Sequence, residues 1–332
     1  MAVNISYQKA RFHRRCFACL LDFLIFAILF GLSFLACRSI VTVTPSFQQA
    51  EATILRIREE SGLFYINHSN NHSLDIVSYL RDGGFDGYYK WNMSRKAIDT
   101  FIDFTGKEGL PDSQEKVQKS YDEYRLSPKL TYKGLPFFIK DEAGTIIENP
   151  AVVEIASLSI RFEQAYAPYI DHIAQAYLVT EIPAFNEATH YESNLLFFAE
   201  IIPAYAFAGL LTYLVPVLIF RRGRMTLGKF LYRIGTVDKR LLVPKMGRTL
   251  ARFAIFYFGE LLLTPFTFGI PFLVSFSLMA FTKDRQSFPD YMLKLYEVDV
   301  SEAKIYFDKA EIRLSDIPGM GKPVAFKMEK EL

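Results

Sequence analysis

The amino-acid sequence predicts a mainly α-helical, polytopic membrane protein with a mostly helical soluble domain inserted after the first helix. Three apolar runs occupy residues 16–37, 195–220 and 253–282. A helix of about 20 apolar residues crosses a hydrocarbon core that is about 30 Å thick. Hydrophobic residues make up 51% of the chain, and the 22% that are charged are crowded between the apolar runs. The 154 residues between the first two runs, residues 39–192, are numerous enough to bury a core of their own.

The first run, from Cys16 to Cys37, carries one acid in its interior, Asp22. The run is longer than the apolar core of a signal peptide and ends without a small-residue cleavage pattern, so we expect a retained transmembrane helix. A carboxylate inside the bilayer costs on the order of 3 kcal/mol. We therefore expect a polar partner or a function to offset that cost.

The third run is expected to be broken or re-entrant. As a straight helix its 30 residues would be about 45 Å long, which is too long for one untilted span and too short for two. Pro265, Gly269 and Pro271 near its centre are strong helix interruptions. The second run contains the acid Glu200 and the third contains Glu260, and we interpret both as paired residues that pack between helices.

The distribution of charge predicts the orientation of the chain. Residues 1–15 carry four Lys/Arg and no acid, and residues 221–252 carry ten Lys/Arg and one acid, so both segments are expected in the cytoplasm. Residues 39–192 carry 14 Lys/Arg and 22 Asp/Glu and are expected outside. Basic residues flank the third run on both sides, which favours a return of the chain to the cytoplasm for residues 283–332.

Three short motifs, in order along the chain, resemble the RDD family of membrane proteins. Arg15 and Asp22 stand at the head of the first run, and Asp290 follows the last run. By position these are the arginine and the two aspartates for which the family is named. The TLGK motif after the second run adds the loop residues Thr226, Gly228 and Lys229.

The resemblance covers residues 11–38 and 195–300, about half of the chain. Two features depart from the family pattern: residues 39–192 replace a short loop, and Pro289 stands where a histidine commonly precedes the last aspartate. The resemblance implies transport of unidentified ligands and, as proposed for some members, cation/proton exchange. It does not explain the insertion.

The sequence leaves three partners open for Asp22. Arg15 lies two helical turns away on the same face, about 10 Å along the axis, so a salt bridge within the helix is not expected. Glu260 reaches a similar depth and would form a shared-proton site. Alternatively, Arg248 or Arg252 would form a static ion pair with Asp22. The third choice is the backbone or water, and both a structural role and an ion or proton role for Asp22 remain hypotheses.

The inserted segment is predicted to be mainly helical. Helical segments are expected near residues 47–61, 93–105, 112–125 and 150–179. Residues 135–140 and 145–147, joined by a turn at 141–144, predict a β-hairpin. The aromatic stretch YYKW at residues 88–91 is interpreted as core or rim packing, with a ligand platform as the alternative.

Two short strands are predicted outside the insertion. Residues 230–237, followed by a turn into 241–243, and residues 293–300 alternate in the manner of strands. Their pairing would place the C-terminal tail beside the basic loop. The predicted domains are the N-terminus with the first helix, the inserted domain, the RDD-like membrane region with its basic loop 221–252, and the cytoplasmic tail (residues 1–38, 39–192, 193–300 and 301–332).

The sequence predicts no enzyme activity, no cofactor and no metal site. His68 and His72 have a metal-ligand spacing, but they lie in a Ser/Asn-rich stretch that is typical of a polar loop. All three cysteines lie in the first run, so no disulfide is expected in the inserted domain.

Two functional classes follow from these features. In the first, which we prefer because the intramembrane acids need a reason, the helices transport a small ion or solute with Asp22 as the titrating group. In the second, the helices anchor the chain, and residues 39–192 recognise a ligand or a partner protein. The predicted partners are the lipid bilayer, a small ion or solute, and a second copy of the chain or a membrane protein complex, but no nucleic acid. Since the family is mostly bacterial, we expect a multi-pass protein of the bacterial cytoplasmic (inner) membrane with its N-terminus in the cytoplasm.

Overall fold

The chain folds into two compact units. The structure, a computed structural model, describes residues 7–69, 72–282, 284–301 and 304–315. Helices account for 67% of the chain, so the predicted mainly α-helical class is confirmed. One unit, here called the apolar unit, comprises Met1–Ser39 and Phe198–Leu332, and the other, here called the inserted unit, comprises Ile40–Phe197.

Within the part of the chain that the structure describes, two helices are long and apolar enough to cross a membrane. They are Phe12–Thr42 and Pro183–Ile219, while a third apolar helix, Ile270–Phe281, is shorter. The first helix leaves large apolar side chains such as Leu20 and Leu35 more than half exposed. A long helix with such a surface is typical of a protein that contacts lipid.

The second candidate span contains wide turns in which the hydrogen bonds run from residue i to i+5. These π-helical segments are Leu195–Ile201 and Leu210–Leu214, and they alternate with the α-helices Ile202–Gly209 and Val215–Ile219. Pro203 and Pro216 lie at the starts of the two α-helical segments. Proline lacks the N–H of an ordinary helical residue, so these positions are where the regular hydrogen-bond ladder is interrupted.

The third apolar run forms a helical hairpin. A helix over Met246–Ala254 continues as the π-helical segment Ile255–Leu261, and Ile270–Phe281 returns alongside it. The Phe256 and Phe272 rings, one from each half, lie 6.3 Å apart. A 3-10 turn at Pro265–Thr267 is followed by left-handed backbone at Phe268 and Gly269. The prediction of a broken run is confirmed, and of its two forms the structure has the hairpin.

A small antiparallel sheet closes one end of the apolar unit. Strand Ile234–Val237 pairs with Tyr296–Asp299, as the alternating residues predicted. Residues 8–10 add to the outer edge of this sheet, since Ala10 N–H donates to the Glu297 carbonyl and Asp299 N–H donates to the Gln8 carbonyl. The predicted strand at 241–243 is wrong: Leu241 has a left-handed backbone, and Asp238 N–H bonds to the Leu242 carbonyl in a tight turn.

Three short helices complete the apolar unit: Leu227–Leu231, Phe288–Leu293 and Lys309–Ser315. The first of these replaces the beginning of the strand predicted at 230–237. The last lies in the predicted tail, of which residues 316–332 fall outside the described part of the chain.

The inserted unit has a helical core with three two-stranded sheets at its surface. Its helices, α-helical except for two π-helical segments, are Pro45–Glu60, Ile76–Asp82, Gly87–Glu108, Ser113–Arg125, Pro150–Ile155, Leu158–Arg161, Phe162–Tyr166, Tyr169–Ala174, Gln175–Glu181 and Pro183–Asn194. Its antiparallel strand pairs are Phe64–Asn67 with His72–Asp75, Thr131–Tyr132 with Leu135–Pro136, and Phe138–Lys140 with Ile146–Glu148.

The predicted elements of the inserted unit are found with two corrections. The helices near 47–61, 93–105 and 112–125 and the hairpin around 141–144 are confirmed. The single helix expected over 150–179 is interrupted at Ala156, which is extended, and Ser157 caps a new helix by accepting from the Ile160 N–H. The polar loop expected at His68 and His72 is the tip of a β-hairpin.

The YYKW stretch divides between core and surface. The indole N–H of Trp91 donates to Glu148 at 2.8 Å, and Arg161 and Tyr166 donate to the same carboxylate. Trp91 therefore belongs to a polar network at the edge of the core. Tyr88, by contrast, is 61% exposed.

Candidate functional site

Asp22 is held by the TLGK loop. Its side chain is 3% exposed. The Thr226 hydroxyl donates to one carboxylate oxygen at 2.5 Å, and the Gly228 backbone N–H donates to the other at 2.7 Å. Thr226 also caps the short helix Leu227–Leu231 by accepting from the Lys229 N–H. Both carboxylate oxygens of Asp22 are thus satisfied by one loop.

Among the three partners left open for Asp22, the structure selects the backbone, together with the Thr226 side chain. The expected pairings with Glu260, Arg248 or Arg252 are wrong for the described residues: Arg252 binds Asp290, and Arg248 lies 3.9 Å from Asp238. From the sequence, the depth of a partner residue in the bilayer could be estimated only for the third apolar run. That estimate did not anticipate that the loop after the second run folds back onto the first helix.

Gly228 allows this loop to reach the first helix. A Cβ atom at Gly228 would lie 2.2 Å from the Ala18 carbonyl oxygen and 2.9 Å from the Asp22 carboxylate. Ala18 is itself fully buried. The close approach of backbone to backbone therefore depends on the absence of a side chain at position 228.

Glu297 forms the centre of a buried charge cluster. Its carboxylate accepts hydrogen bonds from Arg15, from Lys229 and, at 3.2 Å, from Arg252. Burial alone would raise the pKa of the Glu297 carboxyl, but the charges of Arg15, Lys229 and Arg252 hold it far below its usual range. A depressed carboxyl pKa contributes stability above the unfolded pKa and loses it only as the pH falls through the folded value. The Glu297 carboxyl is therefore ionised at neutral pH.

Asp290 extends the cluster through Arg252. The Arg252 guanidinium donates to both Asp290 oxygens, at 2.6 and 3.0 Å, and the Ser287 hydroxyl donates at 2.8 Å. Arg15 donates to the Arg285 carbonyl as well as to Glu297. The three residues that name the family thus gather in one region without direct contact between them.

Glu297 was missed by the sequence reasoning. It lies in the predicted strand 293–300, where an acid beside apolar residues is typical of a solvent-facing position. The signal that could have found it is the strong excess of bases in residues 1–15 and 221–252. Buried arginines and lysines from these segments require an acid from elsewhere in the chain.

The two other predicted acids have separate partners. Glu260 accepts from the Ser275 hydroxyl at 2.9 Å across the helical hairpin, and Ser275 in turn accepts from the Phe288 N–H at 2.8 Å. Glu200 is fully buried and pairs with Arg38 at 3.0 Å. Since Arg38 is 23 residues beyond Arg15 on the same helix, about 35 Å along the axis, Glu200 is not part of the cluster around Glu297.

A cavity of about 500 Å³ lies inside the apolar unit, beside the charge cluster. Charged side chains line part of it: Arg15, Asp22, Arg224, Lys229, Arg252, Glu260 and Glu297. Aromatic side chains line another part: Tyr213, Phe253, Phe256, Phe268, Phe272 and Phe276. Its size is within the range of small-molecule sites in proteins. In the described residues, no group of three or more His, Cys, Asp or Glu side chains is arranged to hold a metal ion.

The apolar helices suggest a helical membrane protein. The family model of the RDD family matches residues 167–294, and this match confirms the RDD assignment made from the motifs. The matched range contains the TLGK loop, Glu260 and Asp290, and it begins within the inserted unit. No match was found among curated proteins or among solved structures.

We predict that Gly228→Ala destabilises the protein by about 2 kcal/mol or more, because the added methyl group collides with the Ala18 carbonyl and separates the loop from Asp22. Alanine is favoured over glycine inside a helix, so propensity alone predicts the opposite sign. Gly31→Ala is the matched control, since a Cβ at Gly31 meets no atom within 4 Å. Thermal melting of the purified variants measures both changes, and equal melting temperatures would contradict the role given to Gly228.

Proposed function

We propose that this chain is an RDD-type membrane protein that binds a small organic solute in the cavity of the apolar unit and passes it across the bilayer. The observation that carries the proposal is the cavity of about 500 Å³, which has charged groups in one part of its lining and aromatic rings in another. Small-molecule sites combine an apolar lining with a few polar groups that fix orientation.

The helical hairpin also supports solute binding. Gly269, which lies in the left-handed turn of the hairpin, and Ser275, which bonds to Glu260, both line the cavity. Non-helical backbone at membrane depth is tolerated where it is buried in protein or lines a wet cavity, and broken helices frame the substrate sites of many transporters.

Cation/proton exchange with Asp22 as the titrating group is a second reading of the same unit. The contacts of Asp22 favour an anchoring role, because Thr226 and Gly228 already satisfy both of its oxygens. A cavity of this volume is also far larger than a cation requires. We therefore assign transport to the cavity and anchoring to Asp22.

An Asp22→Asn variant separates the two roles. If Asp22 is an anchor, we expect a loss of about 1 kcal/mol in the free energy of unfolding, because the amide group of asparagine replaces one of the two acceptor oxygens and so leaves either Thr226 or Gly228 without its acceptor. Any cation flux into vesicles should then scale with the amount of folded protein. Abolished pH-dependent flux at unchanged stability would instead support exchange. Asp284→Asn, at an exposed acid, is the control.

Filling the cavity tests solute binding. Val217 is buried and lines the cavity, so we expect Val217→Phe to displace a bound molecule. Val215→Phe, at an exposed position of the same helix, makes the same change outside the cavity. Native mass spectrometry of the purified proteins should detect a noncovalent adduct in the natural chain and in Val215→Phe but not in Val217→Phe. The same adducts in all three proteins would argue against the cavity as the site.

A location in the bacterial cytoplasmic membrane, with the N-terminus in the cytoplasm, completes the proposal. The N-terminal residues 8–10 pair with strand Tyr296–Asp299, and Arg14 donates to Asp299, so the N-terminus and the C-terminal strand share one end of the apolar unit. Strand Ile234–Val237 of the basic loop lies at the same end. An end with so many bases is expected on the cytoplasmic side.

Single cysteines introduced at exposed positions test this topology. In a chain whose natural cysteines are replaced, an impermeant maleimide should label Glu142→Cys in spheroplasts, since the inserted unit is expected outside. Lys239→Cys and Tyr291→Cys should react only after lysis, because the basic loop and the end of the hairpin are expected inside. Labelling of Tyr291→Cys without lysis would show that the third run crosses the bilayer once.

One feature of the inserted unit favours a binding role as a second candidate function. The rings of Tyr65 and Tyr79 stack at 3.9 Å, Phe85 lies 5.1 Å from Tyr79, and Tyr89 lies 4.6 Å from Phe85. Tyr65 and Tyr89 are more than a third exposed. A row of partly exposed rings offers a stacking surface to a ligand or a partner protein. If this surface binds a ligand or a partner protein, changing Tyr65 and Tyr89 to serine should abolish that binding.

A further inference from the structure

We propose that the cavity of the apolar unit binds the head group of an anionic phospholipid, whose phosphate is bound by Arg224. This inference rests on the proposed function, because the head group would occupy the same cavity as the proposed small molecule. The class follows from three observations: a buried guanidinium without an acidic partner, the pairing of the other bases around the cavity, and the exposed apolar side chains in the cavity lining.

Arg224 is buried and has no acidic partner among the described residues. The residue is 8% exposed and lines the cavity. Its one hydrogen bond, from Nη1 to the Val217 carbonyl, is long at 3.5 Å, and its Nε atom is buried without a partner. Burial lowers the pKa of the Arg224 guanidinium, and the charge of Arg221 lowers it further. A cation in such surroundings is stabilised by an anion that enters the cavity.

The other bases that line the cavity already have acidic partners. Arg15 and Lys229 bind Glu297, and Arg252 binds both Glu297 and Asp290. Arg224 thus differs from them in having a guanidinium fork that is free to bind a phosphate through two parallel hydrogen bonds.

The exposed apolar part of the cavity lining favours a molecule with acyl chains. Phe268 and Leu273 line the cavity and are 96% and 63% exposed. Phe276, one turn beyond Leu273, also lines the cavity and is exposed. The acyl chains of a phospholipid would pack against these side chains, whereas a free phosphate ion gains nothing from them.

The experiment measures lipid preference in the full-length chain. The purified protein in a nonionic detergent is titrated with dioleoyl phosphatidylglycerol, with dioleoyl phosphatidylcholine, or with inorganic phosphate, and binding is followed by native mass spectrometry and by melting temperature. Arg224→Gln is the test variant. Arg221→Gln is the matched control, because Arg221 is exposed and lies outside the cavity lining.

We expect the natural chain and Arg221→Gln to bind phosphatidylglycerol in preference to phosphatidylcholine. Arg224→Gln should bind phosphatidylglycerol about tenfold more weakly and lose the preference, as expected for the loss of a charge-assisted hydrogen bond. An unchanged preference in Arg224→Gln overturns the inference. Inorganic phosphate that raises the melting temperature as much as the lipid does also overturns it, since the site would then take a free anion.

Two further comparisons ensure that every result supports or contradicts one of the two binding proposals. If Arg224→Gln does not fold, Arg224→Lys retains the charge and should keep the preference for phosphatidylglycerol at lower affinity, and equal binding of the two lipids would contradict the inference. If Val217→Phe loses its bound molecule while Arg224→Gln keeps the lipid preference, solute binding stands and the role of Arg224 fails. If neither variant changes any binding, both proposals fail.

Discussion

The carboxylate of Glu297 lies among three cations that come from distant parts of the chain: Arg15 from the first helix, Lys229 from the TLGK loop and Arg252 from the start of the hairpin. These side chains are largely buried, so each charge depends on the others. Removing one partner of a buried ion pair is costly, because the remaining charge is left without compensation. The three segments can therefore dock together only when the C-terminal strand that carries Glu297 has docked as well.

Around that centre, the fold combines charge pairing with very close packing. Asp22 binds the TLGK loop through the Thr226 hydroxyl and the Gly228 N–H, and the absence of a side chain at Gly228 lets the loop touch Ala18. The same loop then presents Lys229 to Glu297. The arginine and the two aspartates of the family are thus linked through other residues rather than to each other. The cavity lies beside this linkage, so the charges that stabilise the fold also line the proposed site.

Much of the fold could be predicted from the sequence because its signals are local. Pro265 and Pro271 predicted the break in the third run, and alternation predicted the pairing of Ile234–Val237 with Tyr296–Asp299. The partners of Asp22 could not be predicted, because they depend on where a loop folds 204 residues later in the chain. Glu297 was missed for a related reason: the sequence gives no distance between an acid in a strand and bases in other segments. The lack of an acidic partner for Arg224 likewise follows from how the apolar unit packs and cannot be read from the sequence around Arg224.

The separation of Arg15 and Glu297 along the chain has a consequence for synthesis. Arg15 and Glu297 are 282 residues apart. At about 5 to 20 residues per second, Arg15 waits on the order of tens of seconds for the carboxylate that neutralises it. During that time the basic end of the first helix remains free to interact with the insertion machinery and with anionic lipid at the membrane surface. A chain released before residue 297 would keep Arg15 and Lys229 without their acidic partner, so we expect the apolar unit to assemble only after the strand that carries Glu297 has been made.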